Sequence, residues 1–146
     1  MLGLPYLLTL LILLPLSASA ETHQVRMLTR GESGPMVFEP AYLEIAPGDR
    51  VRFVPTQRSH NAASIKNMAP EGATPFMGNI DEEIEVTFDI PGLYGVKCSP
   101  HFAMGMVMVI DVNEEAHKSN QLTLPDDLPQ RARKRFEAIL SDASSL

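Results

Sequence analysis

Polar and apolar residues alternate through Arg50, Val51, Arg52 and Phe53. They alternate again over 83–89, where Ile84, Val86 and Phe88 share one side and Glu85 and Thr87 the other. A period of two marks half-buried β-strands. Residues 23–29, 93–98 and 106–112 read as further strands, the last apolar enough to be largely buried. Residues 36–45 are extended, with a bend at Pro40. Ala46-Pro47-Gly48-Asp49 puts Pro and Gly at the centre of a type II turn, and further turns fall at 30–35 and 90–92. Residues 55–78 are irregular and rich in Asn, Ser, Pro and Gly, with a short helical turn expected near 62–68.

The period changes near the C-terminus. Ala132, Phe136, Ile139 and Leu140 fall at i, i+4, i+7 and i+8, one face of a helix within 129–141. Asp126 and Asp127 precede it, as suits a helix N-terminus. A weaker helical turn is expected around 114–119. The expected fold is an all-β sandwich of about eight strands with a short helical C-terminal extension over 113–146, the helix covering an open end of the sandwich. There is no internal repeat.

The first 20 residues carry no charged side chain and end in Ala18-Ser19-Ala20. Their apolar run is short of the about 20 residues that span a bilayer, and small residues at that spacing suit signal-peptidase cleavage. Residues 1–20 are therefore expected to be a signal peptide and 21–146 a single exported domain with no stable membrane association. The formal net charge of −6 argues against general nucleic-acid binding. Acidic residues bunch at Asp81, Glu82, Glu83 and Glu85. Cys98 is the one cysteine, so an exported chain of this kind has no internal disulfide. A lone thiol in an oxidising compartment needs to be buried or bound.

Cys98-Ser99-Pro100-His101-Phe102-Ala103-Met104-Gly105-Met106 joins two predicted strands. It offers a thiol, an imidazole three residues on and a thioether five residues after that. His60, just beyond strand 50–54, can supply a second imidazole. Two His and one Cys with a weak axial Met is the electron-transfer copper pattern. Zinc would accept Cys and two His, but methionine is not a normal zinc ligand. Met106 opens a strand and can point inward, whereas Met104 belongs on the loop surface. His23 and His117 have no such role and read as solvated side chains.

These residues bring out a resemblance. The segments MVFEPAYLEIAPGDRVRFVP (36–55), SHNAASIKNMAPEGA (59–73) and PGLYGVKCSPHFAMGMVMVIDV (91–112), with the helical tail, resemble the pseudoazurin family of type 1 blue-copper proteins. The Cys-x2-His-x4-Met loop alone would also fit plastocyanin. The resemblance implies a cupredoxin-like Greek-key β-sandwich and one type 1 copper ion held by His60, Cys98, His101 and Met106. It implies that Asn61 ties the two ligand loops together and that Pro100 limits hydrogen bonding to the Cys98 sulfur. It also implies a periplasmic, monomeric one-electron carrier, with nitrite reductase or c-type cytochromes as transient partners. His101 is the expected electron port, within an apolar patch of Phe102, Ala103 and Met104. Arg30, Arg58, Lys66 and Lys97 are the expected steering charges. The stretch 74–79 departs from the family, where further Lys is expected, so the basic ring is thinner here.

Two other function classes compete. A copper chaperone or storage protein would use an exposed, exchangeable Met- or Cys-rich site. An enzyme could use Cys98 and His101 as nucleophile and base, but they share one short loop and no orienting group is evident.

Overall fold

The computed structural model describes residues 19–113 and 122–145. The expected signal peptide, apart from its last two residues, and the expected turn at 114–119 lie outside these. The strands are β1 (Thr22–Gly31), β2 (Gly34–Glu39), β3 (Tyr42–Ile45), β4 (Asp49–Val54), β5 (Ala63–Ser64), β6 (Ile84–Phe88), β7 (Gly92–Lys97) and β8 (Val107–Val112). A 3-10 turn, Phe102–Met104, lies between β7 and β8, and the helix α1 (Gln130–Ala143) follows β8.

The strands form two sheets, ordered β2-β1-β4-β6 and β3-β8-β7-β5. The chain passes repeatedly from one sheet to the other. Each sheet therefore joins segments far apart in sequence, including the parallel pairs β1·β4 and β3·β8. In β4 the alternation has its expected result. Val51 and Phe53 are buried while Arg50 and Arg52 face water. Arg52 lies opposite Glu85 on β6 and bonds it at 3.1 Å. The turn before β4 is closed by Asp49 N donating to Ala46 O at 3.1 Å. It needs Gly48, whose φ of 90° is costly for any residue with a Cβ.

Val25, Met27, Phe38, Val51 and Phe53 from one sheet meet Tyr94, Val96, Met108, Ile110 and Val112 from the other in the central core. Cys98 and Met106 belong to this cluster. A second cluster covers the outer face of the β8 sheet, where Val107 and Val109 pack with Ala132, Phe136 and Ile139 of α1. Strand β8 is thus buried on both faces, which accounts for its apolar run from Val107 to Ile110. Burying a side chain the size of Phe136 contributes about 2 kcal/mol.

Three expectations need correction. Residues 62–68 do not form a helical turn: Ala63 and Ser64 pair with β7, because Lys97 and Val96 offer them an open strand edge. The helix covers a sheet face rather than an end of the sandwich. Asp126 and Asp127 do not cap α1 either. Its N-cap is Pro129, with no side-chain cap and no acidic residue in the first turn.

Candidate metal centre

One end of the sandwich gathers three loops: 59–62 after β4, 77–81 before β6, and 98–106 between β7 and β8. Hydrogen bonds lock the third into a compact turn. Cys98 N donates to Met106 O at 3.0 Å, Met106 N to His101 O at 3.1 Å, and Gly105 N to Phe102 O at 3.0 Å. Gly105 adopts a left-handed φ of 90°. A Cβ there would come within 3.0 Å of Arg131 O, so α1 lies directly against the loop.

The turn brings its chemistry to one point. Cys98 Sγ lies 3.5 Å from His101 Nδ1 and 3.8 Å from His60 Nδ1, and the two imidazole nitrogens are 3.1 Å apart. One ligand atom from each of the three residues falls within 4.8 Å of the others, and no carboxylate joins them among the described residues. His60 and Cys98 are fully buried, while His101 is half-buried. The far nitrogen of His60, Nε2, lies 3.0 Å from Thr29 Oγ1, which fixes the ring. Met106 is fully buried in the cluster that holds Cys98, whereas Met104 is 43% exposed.

Burial pushes the Cys98 thiol up, against the backbone N–H groups of Asn61 and His101. Burial also pushes His60 down, with the His101 charge adding to this and Asp81 opposing it. Both shifts disfavour the charged forms. They leave His60 a neutral imidazole with a free lone pair, as a metal requires. A buried thiol and two imidazoles, with a thioether in the same cluster, are soft and borderline donors. That set fits copper.

Asn61 ties the loops together. Its Oδ1 accepts from Ser99 N at 2.6 Å, and its Nδ2 donates to Ser99 Oγ at 3.1 Å and to Gly78 O at 3.0 Å. The Gly78 link, which draws in the third loop, has no local sequence signal. Thr29 and Asp81 were also missed; Asp81 accepts from Ser59 N at 2.6 Å and donates its own N–H to His60 O at 2.8 Å. Pro100 is exposed beside His101 and has no N–H to offer the sulfur.

Of the expected docking residues, Ala103 and Met104 are exposed and Phe102 is half-buried. Lys97 Nζ stands 5.0 Å over the Phe102 ring. Arg30 and Lys66 are exposed, and Arg58 reaches Asp81 at 4.0 Å, which offsets its charge. Two large apolar residues on the 77–81 loop are exposed as well: Met77 is 77% and Ile80 49% exposed. They fall in and beside the stretch whose composition had stood out.

Residues 25–113 match the family described as copper binding proteins, plastocyanin/azurin family. A pseudoazurin of Paracoccus pantotrophus is 46% identical over 125 residues, covering 86% of each chain. The crystal structure of pseudoazurin from Methylobacterium extorquens AM1 superposes with a TM-score of 0.71 at 37% identity, covering 84% of this chain and 98% of that one. Native pseudoazurin from Hyphomicrobium denitrificans gives a TM-score of 0.68 at 32% identity, with coverage of 83% and 97%.

Proposed function

The chain belongs to the plastocyanin/azurin family of copper-binding proteins, and on that premise we propose that its electron-carrying copper ion is held by His60, Cys98, His101 and Met106. The observation that carries the assignment is the convergence of two Nδ1 atoms and one Sγ beside a buried thioether. Held by these residues, a copper ion would supply the one-electron Cu(II)/Cu(I) couple.

The protein's own part is to keep still and to leave one way in. With Nδ1 turned inward, the His60 Nε2–H donates to Thr29 Oγ1, which sets the tautomer. Asn61 and the 98–106 hydrogen bonds tie the loops that carry His60, Cys98 and His101, which would limit their movement when the oxidation state changes. Water is excluded around Cys98 and Met106. His101 alone among the four is not fully buried, so its edge is the port, next to Phe102, Ala103 and Met104 on the same turn. A small apolar rim suits a short-lived complex. The partners we assign to it are periplasmic redox proteins, a nitrite reductase or a c-type cytochrome. We read the chain as a monomeric carrier, exported by its N-terminal 20 residues and without substrate turnover of its own. Burial of Cys98 and Met106 argues against an exchangeable storage or chaperone site.

Adding Cu(II) to the purified protein and recording visible and spin-resonance spectra tests the assignment. An intense blue band is expected, absent in Cys98→Ala and His60→Ala and retained in His117→Ala. A normal blue site in Cys98→Ala would overturn it. Substrate turnover by the isolated protein would overturn the carrier role.

A further inference from the structure

At the end of the sandwich away from the three loops, Asp49 is a buried carboxylate, 7% exposed. Its Oδ1 accepts from Glu21 N at 2.8 Å. Its Oδ2 faces His23 Nε2 at 2.9 Å and Ala46 N at 3.1 Å. His23 is thus a partner of Asp49 rather than a free solvated side chain. Among the described residues no Lys or Arg lies within 4.0 Å of Asp49, and His23 is a cation only when protonated. Burial works against the Asp49 charge, and neutral backbone amides supply two of the three hydrogen bonds that offset it.

Glu21 is also where the fold begins. Its carbonyl accepts from Arg50 N at 2.8 Å, and β1 starts at the next residue, paired in parallel with β4. Ser19 and Ala20, just before it, are exposed and outside any strand. The Ala18-Ser19-Ala20 cleavage pattern therefore ends at the last residue the sheet does not hold. Cutting the Ala20–Glu21 peptide bond by hydrolysis leaves a carboxylate on Ala20 and an amine on Glu21. The amine takes a proton near neutral pH and becomes an ammonium where the amide had been.

We propose that Asp49 is a receptor for the α-ammonium of Glu21 released by cleavage after Ala20, so that processing adds a partly buried ion pair and strengthens the fold. The proposal rests on the export reading and is independent of the metal. In the uncut chain the same nitrogen is a neutral amide donor. After the cut it is a charge-assisted donor, roughly twice as strong. Cleavage at any bond before Ala20–Glu21 would leave Asp49 with the neutral amide.

The test compares three copper-free chains: one beginning at Glu21 with a free amine, one beginning at Glu21 with an acetylated amine, and one beginning at Ala20. The free amine is expected to melt about 4 °C above the other two. In Asp49→Asn the difference between free and acetylated chains is expected to disappear. Should that variant not fold, isotope-labelled methylation of the wild-type amine gives its titration by NMR. The amine is expected to titrate above the ordinary value of about 8, with Asp49, His23, the Glu21 side chain and Arg50 as the charged groups nearby. Equal melting of free and acetylated chains, or an ordinary amine titration, would overturn the proposal. The intact mass of the exported protein tests the export reading separately: a mass beginning elsewhere refutes that reading, while the melting comparison still decides whether Asp49 binds the ammonium.

Discussion

The amide of Asn61 reaches both of the loops that flank its own, through Ser99 and Gly78. Each such bond is worth about 1 kcal/mol, and removing the amide leaves the Ser99 N–H without its partner. Asn61→Ala is expected to lower stability by about 2–3 kcal/mol in urea unfolding of the copper-free protein, and to shift the blue band of the loaded one. Asp49 makes a pH prediction. Burial alone would raise its pKa, but bonds from Glu21, His23 and Ala46, with the His23 charge, outweigh burial and lower it from 3.8. A lowered carboxylate contributes stability above its unfolded pKa and loses it as pH falls through the folded value. The melting difference between wild type and Asp49→Asn is therefore expected to be full at neutral pH and to shrink below about pH 4. Among single residues, the Cys98, His101 and Met106 spacing was legible in the sequence because all three lie on one loop. The partners Thr29 and Gly78 were not, because they come from chain segments that meet only in the folded sandwich.

Helix α1 is the element that links the core to the port. Its buried Phe136 anchors the second core cluster, and Phe136→Ala is expected to cost about 3–4 kcal/mol in denaturant unfolding. At its other end Arg131 O lies against Gly105. Gly105→Ala adds a methyl facing that carbonyl and strains a left-handed φ. The turn must then shift, so copper loss to a chelator is expected to be faster than in wild type, read as the decay of the blue band. The helix itself was legible from its apolar spacing, and β8 from its apolar run up to Ile110. The direction in which α1 docks was not, since one apolar stripe fits a sheet face as well as an end. The 3-10 turn and the two-residue β5 escaped for a related reason: backbone bonds to neighbouring segments fix them, not side-chain periodicity. The missing cap follows the same lesson, since Asp126 and Asp127 stand too far ahead of Gln130 to reach its amides.

Over the whole molecule, the net charge of −6 conceals a sorted surface. Arg26, Arg50, Arg52 and Arg58 all lie within 4.0 Å of carboxylates. Arg131, Lys134 and Arg135 of α1 have no such partner among the described residues. Four basic residues fall within the first six of α1, against the favoured sign at a helix N-terminus. Arg131 lies against Gly105, so the helix brings basic residues beside the proposed port in addition to Arg30, Arg58, Lys66 and Lys97. In the copper-loaded protein, Arg131→Glu is expected to slow oxidation by hexacyanoferrate(III) about threefold at low ionic strength, an effect that salt removes. Arg50→Glu changes the net charge equally from the far end of β4 and is expected to do much less. If both variants slow the reaction alike, net charge rather than the local field governs approach. The seam between Gly105 and Arg131 has one more consequence, for protein engineering. The nine residues from Cys98 to Met106 are not a cassette: transplanted into a sandwich that lacks α1, the loop would lose the wall it is moulded against, so a faithful graft must carry the helix with it.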